Sequence, residues 1–277
     1  DSKGQHSFRN HCVQSCKINI FLKRIRVSFI LRKRNIEYNN GLIQMNYDNY
    51  IDNKRTEFES SILNKKIVSI KNINKYNVKN IVDECERRGF DYIVSLIDSN
   101  QSELISTMIE NGFRIYGGNI VLKNNLEGEY KLNRNVRAYK KQDLEQIKQM
   151  TRGAFPKAHW YNNKHLDKDK VDEIYVKWVE NSCNGRADIV FVYEENNEIL
   201  GYLTCNKRLE LLAVSSKVRR KGVGSALVHA GLDYYKNKNF TEIELKVEMA
   251  NLPVLNLHLK CGSEINNVVL SINKWPK

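Results

Sequence analysis

Leu209-Glu-Leu-Leu-Ala-Val-Ser-Ser-Lys-Val-Arg-Arg-Lys-Gly-Val-Gly-Ser-Ala-Leu-Val228 is the stretch that decides how this chain is read. It opens as a short apolar run, as a buried strand requires, and the run stops at Val214. A basic turn, Arg219-Arg220-Lys221, then leads through Gly222 and Gly224 into an amphipathic helix predicted over 224–236. Backbone N–H groups in such a turn point one way, and the helix amino terminus adds partial positive charge. Glycine at 222 and 224 keeps Cβ atoms out of the path of a ligand, and the three cations supply formal charge. The chemistry this arrangement serves is a pyrophosphate. A basic surface turn ahead of a helix is the plainer alternative, but the apolar strand before it and the apolar helix after it favour the phosphate cradle. The Gly-Lys-Ser/Thr end of a P-loop and the GxGxxG spacing are both absent.

Upstream, Asp188-Ile-Val-Phe-Val-Tyr193 and Ile199-Leu-Gly-Tyr-Leu-Thr-Cys205 flank Glu194-Glu-Asn-Asn-Glu198 and read as a hairpin. The spacing before it predicts a strand over 132–139 and a helix over 143–150. An irregular aromatic segment follows, Phe155-Pro-Lys-Ala-His-Trp-Tyr-Asn-Asn-Lys-His165, and then a helix over 167–181 with Val171, Ile174, Tyr175, Trp178 and Val179 on its apolar face. Downstream come a strand over 242–247, a short helix over 253–260 and a closing pair of strands. Between Met45 and residue 125 the pattern is strand (67–70), helix (77–89), strand (91–97), helix (99–110) and strand (113–122), which implies a small α/β sheet of its own. The chain thus divides into a basic extension at 1–44, a small α/β domain at 45–127, and the phosphate-loop domain at 128–277.

With 41% hydrophobic residues and 14 tyrosines, the 277 residues can bury a core, which excludes wholesale disorder. The formal charge of +13 raises nucleic acid or an acidic membrane as partners. Its distribution argues against both. Residues 1–44 hold nine Lys/Arg against Asp1 and Glu37, a net of +7, which leaves +6 for the rest. Within them the segment 17–34 is basic and apolar and fits neither period: it reads either as a membrane-surface or nucleic-acid segment, or as residues preceding a natural start at Met45. Cysteines 12, 16, 85, 183, 205 and 261 form no CxxC pair and have no histidine at ligand spacing, so free thiols, no metal and a cytoplasmic setting are expected. No apolar run reaches the length of a membrane span.

Arg219-x-x-Gly222-x-Gly224 resembles the Gln/Arg-x-x-Gly-x-Gly/Ala signature of the GNAT-superfamily N-acetyltransferases, and the order of elements around it is similar to their core. The resemblance implies an α/β GNAT fold, a mixed and mostly antiparallel sheet splayed at an acetyl-CoA cleft, with the smaller α/β domain ahead of it. It implies acetyl-CoA as co-substrate, held by Leu212, Ala213 and Val214 of a bulged strand, by Arg219, Arg220, Lys221, Gly222, Val223, Gly224 and Ser225 of the loop, and by Asn251. A narrower resemblance to the dTDP-fucosamine acetyltransferases covers roughly residues 45–275. The segment 56–67 is similar to their D-S-x-F-x-G-K-x-I opening, without its aromatic and glycine. Val171-Asp-Glu-Ile-Tyr-Val-Lys-Trp-Val-Glu-Asn-Ser-Cys-Asn-Gly-Arg-Ala-Asp188 looks like their A-D-x-L-Y-x-x-W-x-x-N-S-x-x-G-x-A-D helix, and Asn273-Lys-Trp275 like their H-K-W ending.

That narrower resemblance implies a small-molecule amine acceptor, a dTDP-linked 4-amino-4,6-dideoxyhexose, contacted by His159, Trp160 and Tyr161. These stand where the relatives have a different sugar loop. Oligomeric state stays open, a homodimer included. Seven residues after Asn251 the family has a tyrosine that protonates the departing thiolate, and here His258 stands in its place. Either His258 is the general acid, or it is a helix-face residue and water donates the proton. Another small amine or a protein terminus as acceptor, or a non-catalytic acyl-CoA-binding protein, are the competing functions.

Overall fold

Asn196 and Asn197 both take left-handed φ, +52° and +63°, which a two-residue hairpin turn needs and asparagine tolerates. The predicted hairpin therefore forms, with Glu195 opposite Glu198. The computed structural model of the chain describes residues 36–39 and 42–276. Its strands and helices run β1 (Ile36–Asn39), β2 (Leu42–Met45), β3 (Ile51–Asp52), α1 (Glu57–Leu63), β4 (Ile67–Ile70), α2 (Val78–Arg87), β5 (Tyr92–Val94), β6 (Leu96–Asp98), α3 (Ser102–Glu110) and β7 (Arg114–Asn124). They continue as β8 (Val136–Ala138), α4 (Leu144–Thr151), α5 (Lys168–Asn181), β9 (Ile189–Glu195), β10 (Glu198–Cys205), β11 (Leu209–Val214), α6 (Val223–Asn237), β12 (Ile243–Glu248), α7 (Leu252–Lys260) and β13 (Glu264–Asn273). One sheet is β11-β10-β9-β8, fully antiparallel; a second is β12-β7-β13-β6; a third, β3-β4-β5, holds the parallel pair β4 and β5. The α/β class and the mostly antiparallel sheet are as expected.

α6 packs on one face of these sheets. Leu227, Val228 and Leu232 are completely buried against Leu203, Leu245 and Leu122, each contributing on the order of 2 kcal/mol. The opposite face of the first sheet carries α4 and α5, with Ile147, Val179, Val192 and Tyr202 buried together. Tyr202 keeps its hydroxyl satisfied by Thr151 Oγ1 at 2.8 Å. Asp167 caps α5 by accepting from the Asp169 N–H. On α5, Val176 is buried with the expected face, while Trp178 is only partly covered. Asn64 ends α1 at φ +52°, which asparagine adopts where the resembled motif has glycine.

Several sequence expectations change. The segment 91–97 is not one strand: it breaks at buried Ser95, whose N–H donates to Asn273 Oδ1 at 3.1 Å and whose hydroxyl donates to the Ile272 carbonyl. The break lets β5 pair with β4 while β6 pairs with β13. Residues 45–127 supply every strand of the third sheet and also two strands of the second. β7 lies between β12 and β13 and pairs with both, Leu122 opposite Leu245 and Ile265, so the second sheet crosses the boundary drawn at residue 127. The closing pair of strands is a single strand, β13. The strand at 132–139 shrinks to β8, with Leu132 exposed. The β1–β2 hairpin spans the expected start, pairing Met45 with Ile36; the other readings of residues 1–44 lie outside the described residues.

Candidate active site

β11 reaches the site already bent. Leu203 pairs with Leu212 but Cys205 with Leu209, so one extra residue of β11 is accommodated at Glu210–Leu211. Thr204 Oγ1 accepts the Leu211 N–H displaced there, at 3.0 Å. Past this bulge β11 is an edge strand. The Ser215 N–H donates to the Leu200 carbonyl at 2.9 Å, so by antiparallel alternation Ala213 also faces β10 while Leu212 and Val214 turn their N–H and C=O groups outward. Arg219 Nε, 3.4 Å from the Val214 carbonyl, lies on that outward side. β12, the edge of the second sheet, lies alongside without pairing to β11. The two edges leave a gap lined by unpaired strand backbone.

The basic turn meets one face of this gap. Val218 is buried and anchors it. Arg219 is extended, Arg220 takes φ +63°, and Gly222 takes φ +84° as the N-cap of α6. The Ala226 N–H makes the first helical bond, to the Gly222 carbonyl at 2.9 Å. The amides of Val223, Gly224 and Ser225 are therefore the helix's first-turn donors, and a left-handed residue ahead of them makes a concave nest for an anion. Arg219, Arg220 and Lys221 are all exposed around it. The two glycines serve different ends. A Cβ on Gly222 would meet nothing within 4 Å, so its left-handed backbone is what requires glycine. A Cβ on Gly224 would sit 3.0 Å from Leu257 Cδ2, so glycine there lets α7 approach α6. Asn251 is the N-cap of α7, yet its side chain makes no capping bond and stays available to a ligand.

His258 is placed differently from the sequence expectation. It lies on the core face of α7, 4% exposed, with Nδ1 buried and without a hydrogen-bond partner. Burial pushes its pKa down to about 4, because an imidazolium loses its hydration there. A ring held below its ordinary range is neutral near pH 7, which argues against the general-acid reading and for the alternative in which water donates the proton. Leu257, not His258, faces Gly224.

The other face of the gap carries the aromatic segment. In β12, Ile243, Leu245 and Val247 point into the α6 core, and Glu248, at the strand's end, is on the opposite side. His159 Nδ1 lies 2.8 Å from Glu248 Oε1, and each side chain is 20% exposed. A Cβ on Gly117 would come within 3.1 Å of His159 Cβ, so this glycine of β7 gives the histidine its seat. Asn162 Nδ2 donates to the Tyr116 carbonyl at 2.8 Å and fixes the same turn to β7. Trp160 is buried in a cluster with Ile67, Tyr92 and Ile174. Tyr161 donates its hydroxyl to Asp172, which also accepts the Gly153 N–H. Of the three sugar-loop residues, His159 alone is brought to Glu248. Tyr175, buried beneath, has its pKa raised well above the ordinary value by burial and by the Glu248 charge.

Glu248 went unnoticed in the sequence. It is one of three alternating charges on β12, and only its partner 89 residues away separates it from a solvated strand face. Glu59 on α1 was also missed; its Oε2 is buried without a partner, and burial raises its pKa. Among the described residues no group of three or more His, Cys, Asp or Glu is placed to hold a metal ion, and no helix is long and apolar enough to cross a membrane.

Known proteins share both sequence and shape with this arrangement. The chain is 25% identical over 139 residues to the spore coat polysaccharide biosynthesis protein SpsD of Bacillus subtilis, covering 48% of either chain. It is 27% identical over 104 residues to streptothricin acetyltransferase A of the same organism, covering 36% of this chain and 54% of that one. The chain thus spans about half the length of the curated relatives it matches. A solved GCN5-related N-acetyltransferase from Sphaerobacter thermophilus has the same fold, with a TM-score of 0.55 at 13% identity over 81% of this chain and 75% of that one. The model of the acetyltransferase (GNAT) family matches residues 145–263, from within α4 to just past α7. Bulged edge strand, nest and α6 all fall within that span, and residues 145–263 are a domain of the GNAT acetyltransferase family.

Proposed function

We propose that the chain transfers the acetyl group of acetyl-CoA to the primary amine of a nucleotide-linked amino sugar, of the 4-amino-4,6-dideoxyhexose type. The observation that carries this reading is the gap between β11 and β12, with an anion nest at one face and the His159–Glu248 pair at the other. The nest suits a diphosphate: two left-handed residues, three first-turn amides and three exposed cations converge on it. Arg219, Arg220, Lys221 and the amides of Val223, Gly224 and Ser225 hold that diphosphate, and the uncommitted Asn251 side chain holds the pantetheine arm. Acetyl-CoA supplies the thioester.

The acceptor comes from the opposite face. Glu248, oriented by His159, takes the proton that the amine sheds as its nitrogen bonds to the carbonyl carbon. The carbon–sulfur bond breaks in the same displacement, with no acyl-enzyme. The outward amides of Leu212 and Val214 donate to the carbonyl oxygen as it gains negative charge. Water returns a proton to the sulfur, since His258 is neutral and buried.

The match to a polysaccharide biosynthesis protein supports a sugar acceptor. A second reading, an amine unconnected to a nucleotide, is favoured by the match to streptothricin acetyltransferase A. Thiol release from acetyl-CoA with dTDP-linked amino sugars, UDP-linked amino sugars and free amines separates the two. The leading reading expects turnover with a nucleotide-linked amine and little with free amines; the reverse preference would replace it with the second.

A further inference from the structure

Beside the His159–Glu248 pair, β7 opens a groove of about 390 Å³ lined by Arg114, Ile115, Tyr116, Asn162 and Lys164. Three observations mark it as built. First, β7 carries an extra residue at Tyr116, since Ser271 pairs with Gly117 and Ile272 with Ile115. A bulge of this kind re-aims a side chain. Second, Arg114 and Lys164 are exposed, and neither is in an ion pair among the described residues. Two unneutralised cations bordering one cavity attract a multiply charged anion. Third, the groove has an apolar wall. Ile115 is 49% exposed, and the Tyr116 ring is held edge-on to Tyr92 with centroids 6.4 Å apart. A planar heterocycle stacks on such a surface while its charged portion meets the cations.

We propose that this groove binds the nucleoside diphosphate of the acceptor, its phosphates on Arg114 and Lys164 and its base against Tyr116 and Ile115. Asn162 links groove and catalytic pair, since its turn also carries His159. A sugar joined to a diphosphate in the groove would extend along β7 past Gly117 to Glu248. The assignment rests on the reading of the opposite face of the gap as the acceptor side. It differs from the coenzyme nest in place and in residues, so both diphosphates are held at once.

The test is calorimetric titration of dTDP into the full chain saturated with coenzyme A, so that the nest is occupied. The groove predicts that dTDP binds under these conditions. It also predicts that Arg114→Ala/Lys164→Ala weakens dTDP roughly tenfold or more while coenzyme A affinity is unchanged. No dTDP binding, loss of binding when coenzyme A is added, or equal affinity in the double variant would overturn it. Kinetics separate this from the proposed function. Turnover of a dTDP-linked amine with the same KM in the double variant removes the groove and leaves the function standing. Binding of dTDP that depends on Arg114 and Lys164, without turnover of any dTDP-linked amine, supports the groove and removes the acceptor.

Discussion

Replacing His258 by leucine tests the conclusion that this histidine is buried and neutral. In the unfolded chain a histidine titrates at about 6.5, whereas in the folded chain burial holds His258 at about 4. A lowered histidine pKa means that the unfolded state takes up the proton first. Its penalty is absent above the unfolded value, grows as pH falls below it, and is complete once pH passes below the folded value. At pH 5 the unfolded histidine is almost wholly protonated and the folded one hardly at all, which costs about 2 kcal/mol of stability relative to pH 7.5. For a chain of this size that is roughly 4–8 °C in Tm. The buried Nδ1 has no partner to lose, so leucine leaves no orphaned group behind. Thermal or urea unfolding of wild type and His258→Leu at the two pH values isolates the effect, because the carboxylates common to both proteins cancel. The variant should lose about 2 kcal/mol less than wild type on going from pH 7.5 to pH 5. Equal losses would show that His258 titrates normally and would reopen its role as proton donor.

Glu248→Gln should lower kcat by roughly 100- to 10,000-fold, the range for a positioned base, with the KM for acetyl-CoA unchanged; Glu59→Gln should leave kcat within a few-fold, and the opposite ranking would move the base to α1. Gly222→Val forces a β-branched residue to φ +84°, at a cost of about 1–3 kcal/mol, and should abolish coenzyme A binding by calorimetry; wild-type affinity would refute the nest. Gly224→Ala places its Cβ 3.0 Å from Leu257 Cδ2 and should lower stability by about 1 kcal/mol or more, and the double variant with Leu257→Ala should recover most of that loss in urea unfolding.

Local patterns carried the part of the fold that local physics decides. The run to Val214, the basic turn and the helix after it form as read, because strand, nest and helix start are each set by residues within a few positions. The Asn196–Asn197 turn is legible for the same reason. What escaped was long-range. β7 is inserted between β12 and β13, and the hydrophobic alternation of a strand does not name its neighbour. Ser95 breaks a convincing apolar run because Asn273 and Ile272, far along the chain, satisfy its polar groups. At the site, the loop residues and Asn251 stand out through a motif, while Glu248 becomes distinctive only once His159 is folded over it. His258 shows the converse. Its position in the sequence matched a proton donor, and nothing local foretold that α7 turns that side chain into the core.

Acetyl transfer across the gap between β11 and β12 is the central step. Following thiol release from acetyl-CoA, with and without a dTDP-4-amino-4,6-dideoxyhexose, measures it in one assay. The expected result is release that depends on the acceptor, stoichiometric with an N-acetylated sugar nucleotide and strongly reduced by Glu248→Gln. Thiol release at the same rate with and without any amine, or none with any amine offered, would contradict it.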